Sequence, residues 1–371
     1  KPVSAEIIFP FPKENVVPEN NIKADKEYKE LFDSFINNLK ILSHKDDIEL
    51  WYEHFDSLMM IYTSHIPAAR VGNVVHDVSL YDHCRTTAAL ATSLYLYHSQ
   101  TDTLTEKDVK SSKGNKFLLI NGDFKGIQNF IFSSSADSQK FRSKILRGRS
   151  FAVSLLSELA ADMICREIGL PITSIILNAA GKFTIIAPNI SGVKSSIDKV
   201  KKEINDWLVK ISFGETIFNI AVIQASSKDF SNDKFIDLWD RLNREMEKEK
   251  YSGFEVSSYG VVEGYLDKFI NKPGDSAICP LCGKRPAVEV FQKELMCKVC
   301  RDHIFLGSNI VKKKRLSIYF INNSSKSENC LHEPVFGKYQ ISFSTDLTKY
   351  QNNILKCWSL EREDSANSDV T

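Results

Sequence analysis

Residues 172–189, ITSIILNAAGKFTIIAPN, contain two β-rich runs separated by the short sequence NAAG. Isoleucine, phenylalanine and threonine favour extended backbone, and a small glycine-containing loop between two such runs indicates a hairpin. The hairpin decides the fold because it places two neighbouring strands between segments that read as helices.

Helical and extended segments alternate on both sides of this hairpin. Residues 143–170 have apolar positions every four residues, which predicts a long helix. A buried strand is predicted before it at 116–123, and a second helix (195–211) and a closing strand (215–226) are predicted after the hairpin. The order β-α-β-β-α-β is the split βαβ arrangement of ferredoxin-like folds, and we expect it at residues 113–227.

The rest of the chain predicts an α+β, multidomain protein. Residues 1–25 read as a linker or irregular arm, a helical pattern runs from about Lys26 to His98, and the polar segment 99–115 predicts a boundary. A further helix and four paired cysteines follow the ferredoxin-like region. Residues 311–371 predict a strand-containing segment and a flexible tail.

Composition excludes several classes of protein. The 371 residues exceed one ordinary core, and the net charge of +1 provides no global attraction to nucleic acid or membrane. No apolar run reaches the ~20 residues of a membrane span. The chain begins without methionine and without a signal-peptide pattern, so we expect a portion of a longer protein. Four of the eight cysteines are paired, which predicts a reduced cytoplasmic protein with one metal site.

The paired cysteines are the strongest motif. Cys279 and Cys282 form one C-x-x-C pair, and Cys297 and Cys300 form another after 14 intervening residues. Two such pairs surround one Zn²⁺ tetrahedrally, and four protein ligands leave no open position. The spacing therefore predicts a structural zinc, against the alternative of four free buried thiols.

Asp123 ends the first predicted strand. In palm-type polymerases and nucleotide cyclases, such an aspartate and an acid on the facing hairpin hold two metal ions. The facing tip at 178–183 has no carboxylate and instead contains Lys182. We therefore expect no phosphoryl transfer by this region alone, but a surface of Asp123, Gly181 and Lys182 that holds ATP across an interface. The alternative is an aspartate that only caps a loop.

A basic cluster precedes or begins the long helix. Guanidinium groups at a helix N-terminus suit the phosphates of a nucleoside triphosphate or a nucleic acid, while a solvated helix face is the alternative. We treat Lys144, Arg147 and Arg149 as candidate ATP ligands; the cluster as a whole comprises Lys140, Arg142, Lys144, Arg147 and Arg149.

Two histidine–aspartate doublets raise the possibility of a metal-dependent hydrolase. His76-Asp77 and Asp82-His83 lie among other histidines, but none shows the spacing of a metal-binding helix. A structural role is favoured for the first doublet. Both readings stay open for Asp82 and His83.

Several segments together resemble one family, the large subunit (Cas-ten) of type III CRISPR effector complexes in its Csm-type, III-A form. They occur in the family's order over about 230 residues: 78–95, 121–132, 144–156, 178–189 and the two cysteine pairs. Under this resemblance the chain divides into a linker with the closing helices of an HD-type domain, a first palm, a helical domain with a zinc ribbon, and a strand-containing tail, at 1–112, 113–227, 228–310 and 311–371.

The resemblance implies functions for the complete protein. Its HD domain cuts single-stranded DNA with divalent metal, and its paired palms join ATP into cyclic oligoadenylate, with Mg²⁺ or Mn²⁺, when target RNA is bound. Implied partners are ATP, single-stranded DNA, guide RNA, target RNA, and the small helical and repeat-associated subunits, with no membrane. The catalytic Gly-Gly-Asp-Asp of the second palm is absent here, so this portion implies the non-catalytic ATP face. Asp82 and His83 match the closing motif of the HD domain and become possible supports of that site.

Three rival functions remain open at this stage. A self-sufficient cyclase needs a second acid near Asp123, for which Asp137 and Asp162 are the nearby candidates in sequence. A zinc-ribbon module that binds nucleic acid has no nucleotide site. A scaffold subunit uses neither surface.

Overall fold

The structure is a computed structural model of the 371-residue chain. It describes residues 21–69, 78–132, 141–231, 233–252, 278–321, 330–345 and 354–360. His76, Asp77, Asp137, Lys140 and the predicted tail after 360 lie outside these residues.

The N-terminal part is helical. Helices α1 (Asn21–Ile41), α2 (Ile48–Thr63), α3 (Leu80–Gln100) and α4 (Glu106–Lys110) follow one another. The predicted irregular arm was wrong over its last residues, because α1 already begins at Asn21. The predicted polar boundary was incomplete as well. It contains α4, at whose start the Thr105 side chain accepts a hydrogen bond from the backbone N–H of Asp108.

The predicted four-stranded sheet is confirmed. Its strands run in the order β2-β3-β1-β4, and every neighbouring pair is antiparallel. This is the order that a βαββαβ chain adopts when each helix crosses back over the sheet. The elements are β1 (Phe117–Lys125), α5 (Ile127–Phe132), α6 (Arg142–Ile168), β2 (Ile175–Ala179), β3 (Lys182–Pro188), α7 (Val193–Ser212) and β4 (Ile217–Ala225).

The two faces of the sheet carry different helices. Alternate residues of β1, such as Leu118 and Ile120, join the core formed with α6 and α7. The opposite set, such as Leu119, packs against α3 and against α8 (Phe235–Ser252). Alternation with a period of two explains this division, since successive strand residues point to opposite faces.

The C-terminal part adds two small sheets and one helix. A hairpin of β5 (Glu289–Phe291) and β6 (Glu294–Met296) leads into α9 (Lys298–Asn309). A three-stranded sheet then follows in the order β8-β7-β9, formed by β7 (Arg315–Phe320), β8 (Tyr339–Ser344) and β9 (Ile354–Ser359). Residues 316–321 and 339–344 also read as strands in the sequence, whereas β9 was not predicted. None of the described helices meets the length and apolarity required to cross a membrane.

Helices α6 and α9 cross at two glycines. A Cβ atom on Gly148 would overlap the carbonyl oxygen of His303, and one on Gly307 would overlap the carbonyl oxygen of Lys144. Only glycine allows such close backbone approach. The crossing holds α9, which carries part of the cysteine region, against α6, and α6 in turn packs on the ferredoxin-like sheet.

Candidate nucleotide face and metal centre

Asp123 lies on the sheet face that carries α8. It pairs with Lys182 of β3 on one side and with Asn219 of β4 on the other. Cross-strand partners point to the same face, so the three side chains form a polar row near the end of the sheet. Asp123 and Asn219 are buried, whereas Lys182 is exposed.

The last two turns of α8 bring two charged groups to Asp123. The Lys250 ammonium lies 3.0 Å from Asp123 Oδ2 and 2.9 Å from Glu247 Oε1. The hydrogen bond to Glu247 raises the pKa of Lys250, burial opposes the rise, and the bond to Asp123 adds to it. Sequence reasoning missed both α8 residues. A second carboxylate therefore approaches Asp123, but the protein's own ammonium lies between the two acids.

The same face contains two buried polar atoms without a hydrogen-bond partner in the described residues. They are Nδ2 of Asn219 and Oγ1 of Thr184. Thr184 lies opposite Asn121, one row further along the sheet. The sheet face thus changes from apolar at Phe117 and Leu119 to polar at the end near Lys250.

The hairpin tip has the backbone that its sequence predicts. Ala180 and Gly181 have φ values of 54° and 81° and join β2 to β3. Two successive residues of positive φ are typical of a type I′ turn, whose twist matches that of the strands. A Cβ on Gly181 would overlap the Ile127 side chain and contact Val153 of α6 at 3.4 Å. Gly181 therefore lets the tip lie against Ile127 of α5 and Val153 of α6.

The three basic candidates of α6 have different environments. Arg147 is exposed and donates from Nη1 to the Gly307 carbonyl at 2.7 Å. The Lys144 ammonium lies 5.3 Å from the centroid of the Phe141 ring. Arg149 is buried and donates from Nη1 to the Ile131 carbonyl at 3.2 Å. The guanidinium of Arg149 therefore points inward to α5, and its role as an ATP ligand stays a prediction.

Asp162 does not serve as a second acid for Asp123. It lies on α6, on the opposite side of the sheet, where it accepts from Arg166 Nε at 2.8 Å. Its other oxygen lies 3.4 Å from Nζ of Lys356. Both partners belong to this chain, so the Asp162 carboxylate has a structural role in ion pairing.

The four cysteines converge in a form that fits zinc. All four Sγ atoms lie within 4.8 Å of one another, and all four residues are buried. The Sγ atoms of Cys282 and Cys297 are 3.9 Å apart. A tetrahedral site with Zn–S bonds of about 2.3 Å has sulfur–sulfur edges of about 3.8 Å. Hydrogen bonds with Cys279 lower the pKa of the Cys282 thiol and raise that of Cys300.

Asp82 and His83 are exposed in the first turn of α3. The Ser79 side chain accepts from the backbone N–H of Asp82 at 3.0 Å and donates to its carboxylate at 2.6 Å. This is ordinary helix capping. The Asp82 carboxylate is therefore hydrogen-bonded at the start of α3, while the side chains of Asp82 and His83 are both exposed to solvent.

The chain that contains this ferredoxin-like sheet and this four-cysteine centre is similar to a class of known relatives. These relatives are large subunits of type III CRISPR complexes. A family model described as Csm1 subunit domain B matches residues 116–263.

The particular relatives are proteins named Cas10/Csm1, single-strand-specific deoxyribonucleases of subtype III-A. The Methanocaldococcus jannaschii protein is 32% identical over 69% of this chain and 34% of its own length. The Enterococcus italicus protein is 24% identical over 82% of this chain and 41% of its own length. The resemblance to the Csm-type large subunit is confirmed.

Solved structures of Csm1 share the fold. A Csm1–Csm4 subcomplex matches with a TM-score of 0.61 and 21% identity, over 86% of this chain and 36% of that chain. A Csm1–Csm4 cassette in complex with one ATP matches with a TM-score of 0.58 and 20% identity, over 85% and 36%. The present chain therefore spans between about a third and two fifths of the relatives described here.

Proposed function

We propose that residues 113–227 are the first, non-catalytic palm of a type III-A large subunit and that they bind ATP at the hairpin end of the sheet. The observation that carries the proposal is the polar row of Asp123, Lys182 and Asn219, in which the acid is already neutralised by Lys250. Such a row offers cations and amide groups to a nucleotide without holding a metal ion of its own.

Helix α6 packs on the opposite face of the sheet but reaches the same hairpin tip. Val153 of α6 touches the hairpin tip, and Lys144 and Arg147 lie in the turns before it. Their positive charges favour the phosphates of ATP, whereas Arg149 acts by holding α5 in place. The adenylation metals, Mg²⁺ or Mn²⁺, and their Gly-Gly-Asp-Asp ligands would come from a second palm in the complete protein.

The other parts of the chain receive supporting roles in this proposal. The four cysteines hold a structural zinc that keeps α9 and its hairpin rigid. Residues before 113 are the closing helices of the HD-type nuclease domain, with Asp82 and His83 beside its site. The complete protein would dock on other Csm subunits, guide RNA and target RNA.

ATP binding by the full chain tests the proposal. We expect Lys182→Ala and Arg147→Ala each to weaken binding of a fluorescent ATP analogue about 10-fold or more, since each removes a charged hydrogen-bond donor. Lys202→Ala is the matched control, because Lys202 pairs only with its helix neighbour Asp206 among the described contacts. Fluorescence anisotropy measures the analogue, and a labelled single-stranded RNA is titrated against the same preparations.

The outcomes separate the rival functions. Loss of ATP binding with RNA binding intact supports the palm, and the reverse result supports a zinc-ribbon module. No effect of either substitution supports a scaffold. The chain alone is expected to make no cyclic oligoadenylate and to cut no DNA, and metal-dependent conversion of ATP by it would support a self-sufficient cyclase.

A further inference from the structure

Lys250 occupies an unusual position for a helix-surface lysine. Its ammonium is bracketed by the carboxylates of Asp123, on the sheet, and Glu247, one helical turn earlier on α8. The Asp123 side chain is only 7% exposed and that of Lys250 25%. An ordinary solvated pair on one helix would not reach a buried acid on another element.

The two carboxylate oxygens are arranged as they would be around a cation. Both lie about 3 Å from one nitrogen, and Mg²⁺ holds carboxylate oxygens at about 2.1 Å. Replacement of the ammonium by a metal ion would need each oxygen to move inward by less than about 1 Å. The Glu247 side chain is 59% exposed, so such a movement is small for it.

The sheet next to Asp123 contains buried polar atoms that have no hydrogen-bond partner among the described residues. The Thr184 hydroxyl and the Asn219 amide are buried on the same sheet face, and each has a polar atom without a partner in the described residues. Buried polar atoms of this kind normally bind water or a ligand. Asp123 therefore lies in a buried polar part of the sheet and not on an open acidic surface.

We infer that Lys250 is a built-in counter-ion that takes the place of a divalent cation at Asp123, and that loss of its ammonium opens a metal site formed by Asp123 and Glu247. This inference deepens the proposed function, because it explains how the first palm keeps an aspartate in the metal position without binding metal. Its test uses no nucleotide, so the two ideas fail independently.

The experiment measures Mn²⁺ binding to the zinc-loaded full chain by electron paramagnetic resonance, with Mn²⁺ raised to about 1 mM, the weak end for carboxylate sites. Lys250→Met removes the ammonium and keeps most of the apolar stem. Lys248→Met is the matched control, because Lys248 lies on the same helix and pairs with Glu245 at the surface. We expect about one additional bound Mn²⁺ per chain in Lys250→Met, none in Lys248→Met, and loss of the gain when Asp123→Asn is added.

Two results would overturn the inference. One is a Lys250→Met chain that binds no more Mn²⁺ than the wild type. The other is a wild-type chain whose bound Mn²⁺ already disappears with Asp123→Asn. Lys250→Gln, which keeps a neutral donor between the two acids, serves the same purpose should Lys250→Met fail to fold, and circular dichroism verifies the fold of each variant.

Discussion

The buried ammonium of Lys356 on β9 links acidic side chains of α2 and α6. This ammonium lies 2.6 Å from Glu53 of α2, and 3.2 Å and 3.4 Å from Glu158 and Asp162 of α6. Lys356 itself is 2% exposed. A buried charge needs such partners, because desolvation of an isolated ammonium is prohibitively expensive. Burial raises the pKa of Glu53 to about 7, although the Lys356 charge opposes the rise.

The raised pKa of Glu53 gives stability a defined pH dependence. The folded chain holds this proton more tightly than the unfolded chain, whose pKa is about 4.5. The contribution of Glu53 is therefore complete below about pH 4.5 and is lost as the pH rises to about 7. We expect Glu53→Gln to make the slope of the unfolding free energy between pH 5 and 7 less negative, by up to about 1.4 kcal/mol per pH unit.

Urea unfolding at several pH values measures this slope. Glu49→Gln is the control, because Glu49 lies on the same helix but its side chain is 72% exposed. An unchanged slope in Glu53→Gln, or an equal change in Glu49→Gln, would show that the buried acid does not govern the dependence.

At the scale of elements, the crossing of α6 and α9 determines where the cysteine centre lies. Gly148 and Gly307 bring the two helix backbones into direct contact. Arg147 strengthens the crossing by donating to the Gly307 carbonyl. The basic stretch that suggested phosphate binding therefore also has a packing role.

Gly148→Ala distinguishes packing from helix propensity. Alanine stabilises an open helix position by about 1 kcal/mol relative to glycine. Here the added Cβ overlaps the His303 carbonyl, and overpacking costs roughly 1–3 kcal/mol. We expect net destabilisation in urea unfolding, with Ser150→Ala at an exposed position of α6 as control. A Gly148→Ala chain that is more stable than the wild type would contradict tight packing of α6 against α9 at this position.

At the scale of the whole molecule, the cysteine centre and the ferredoxin-like sheet share one core. Cys279, Cys297 and Cys300 belong to the same buried cluster as Phe183 and Ile185 of β3. A structural metal contributes its binding free energy to folding. The centre should therefore stabilise the sheet as well as its own loops.

Removal of one ligand tests this coupling. We expect the unsubstituted chain to bind one zinc ion and Cys300→Ser to bind none. We also expect Cys300→Ser to lower the free energy of unfolding by several kcal/mol, with the sheet affected because the core is shared. Zinc is counted by mass spectrometry of the metal, and unfolding is followed by circular dichroism. Cys84→Ser is the control, since Cys84 is exposed. If the metal-free chain unfolds like the wild type, the cysteine centre does not contribute to the stability of the sheet.

Sequence reasoning reached much of the fold and part of the candidate site. The hairpin at Ala180 and Gly181, the strands around it and the converging cysteines were all predicted from local pattern. The burial of Arg149 was not predicted, because exposure of a helical arginine depends on what packs over it. Lys250 and Glu247 were missed because nothing in their local sequence relates them to a strand that precedes them by more than a hundred residues.

By itself the sequence determined the β-α-β-β-α-β order of residues 113–227, the turn at the hairpin tip, the four-cysteine centre and the absence of an acid on that hairpin. These depend on periodicity and on spacing within a few residues, which local backbone geometry enforces. Only the tertiary structure decided which charges meet. The ammonium beside Asp123 and the three acids around Lys356 come from distant elements, and strand register and helix packing alone bring them within contact distance.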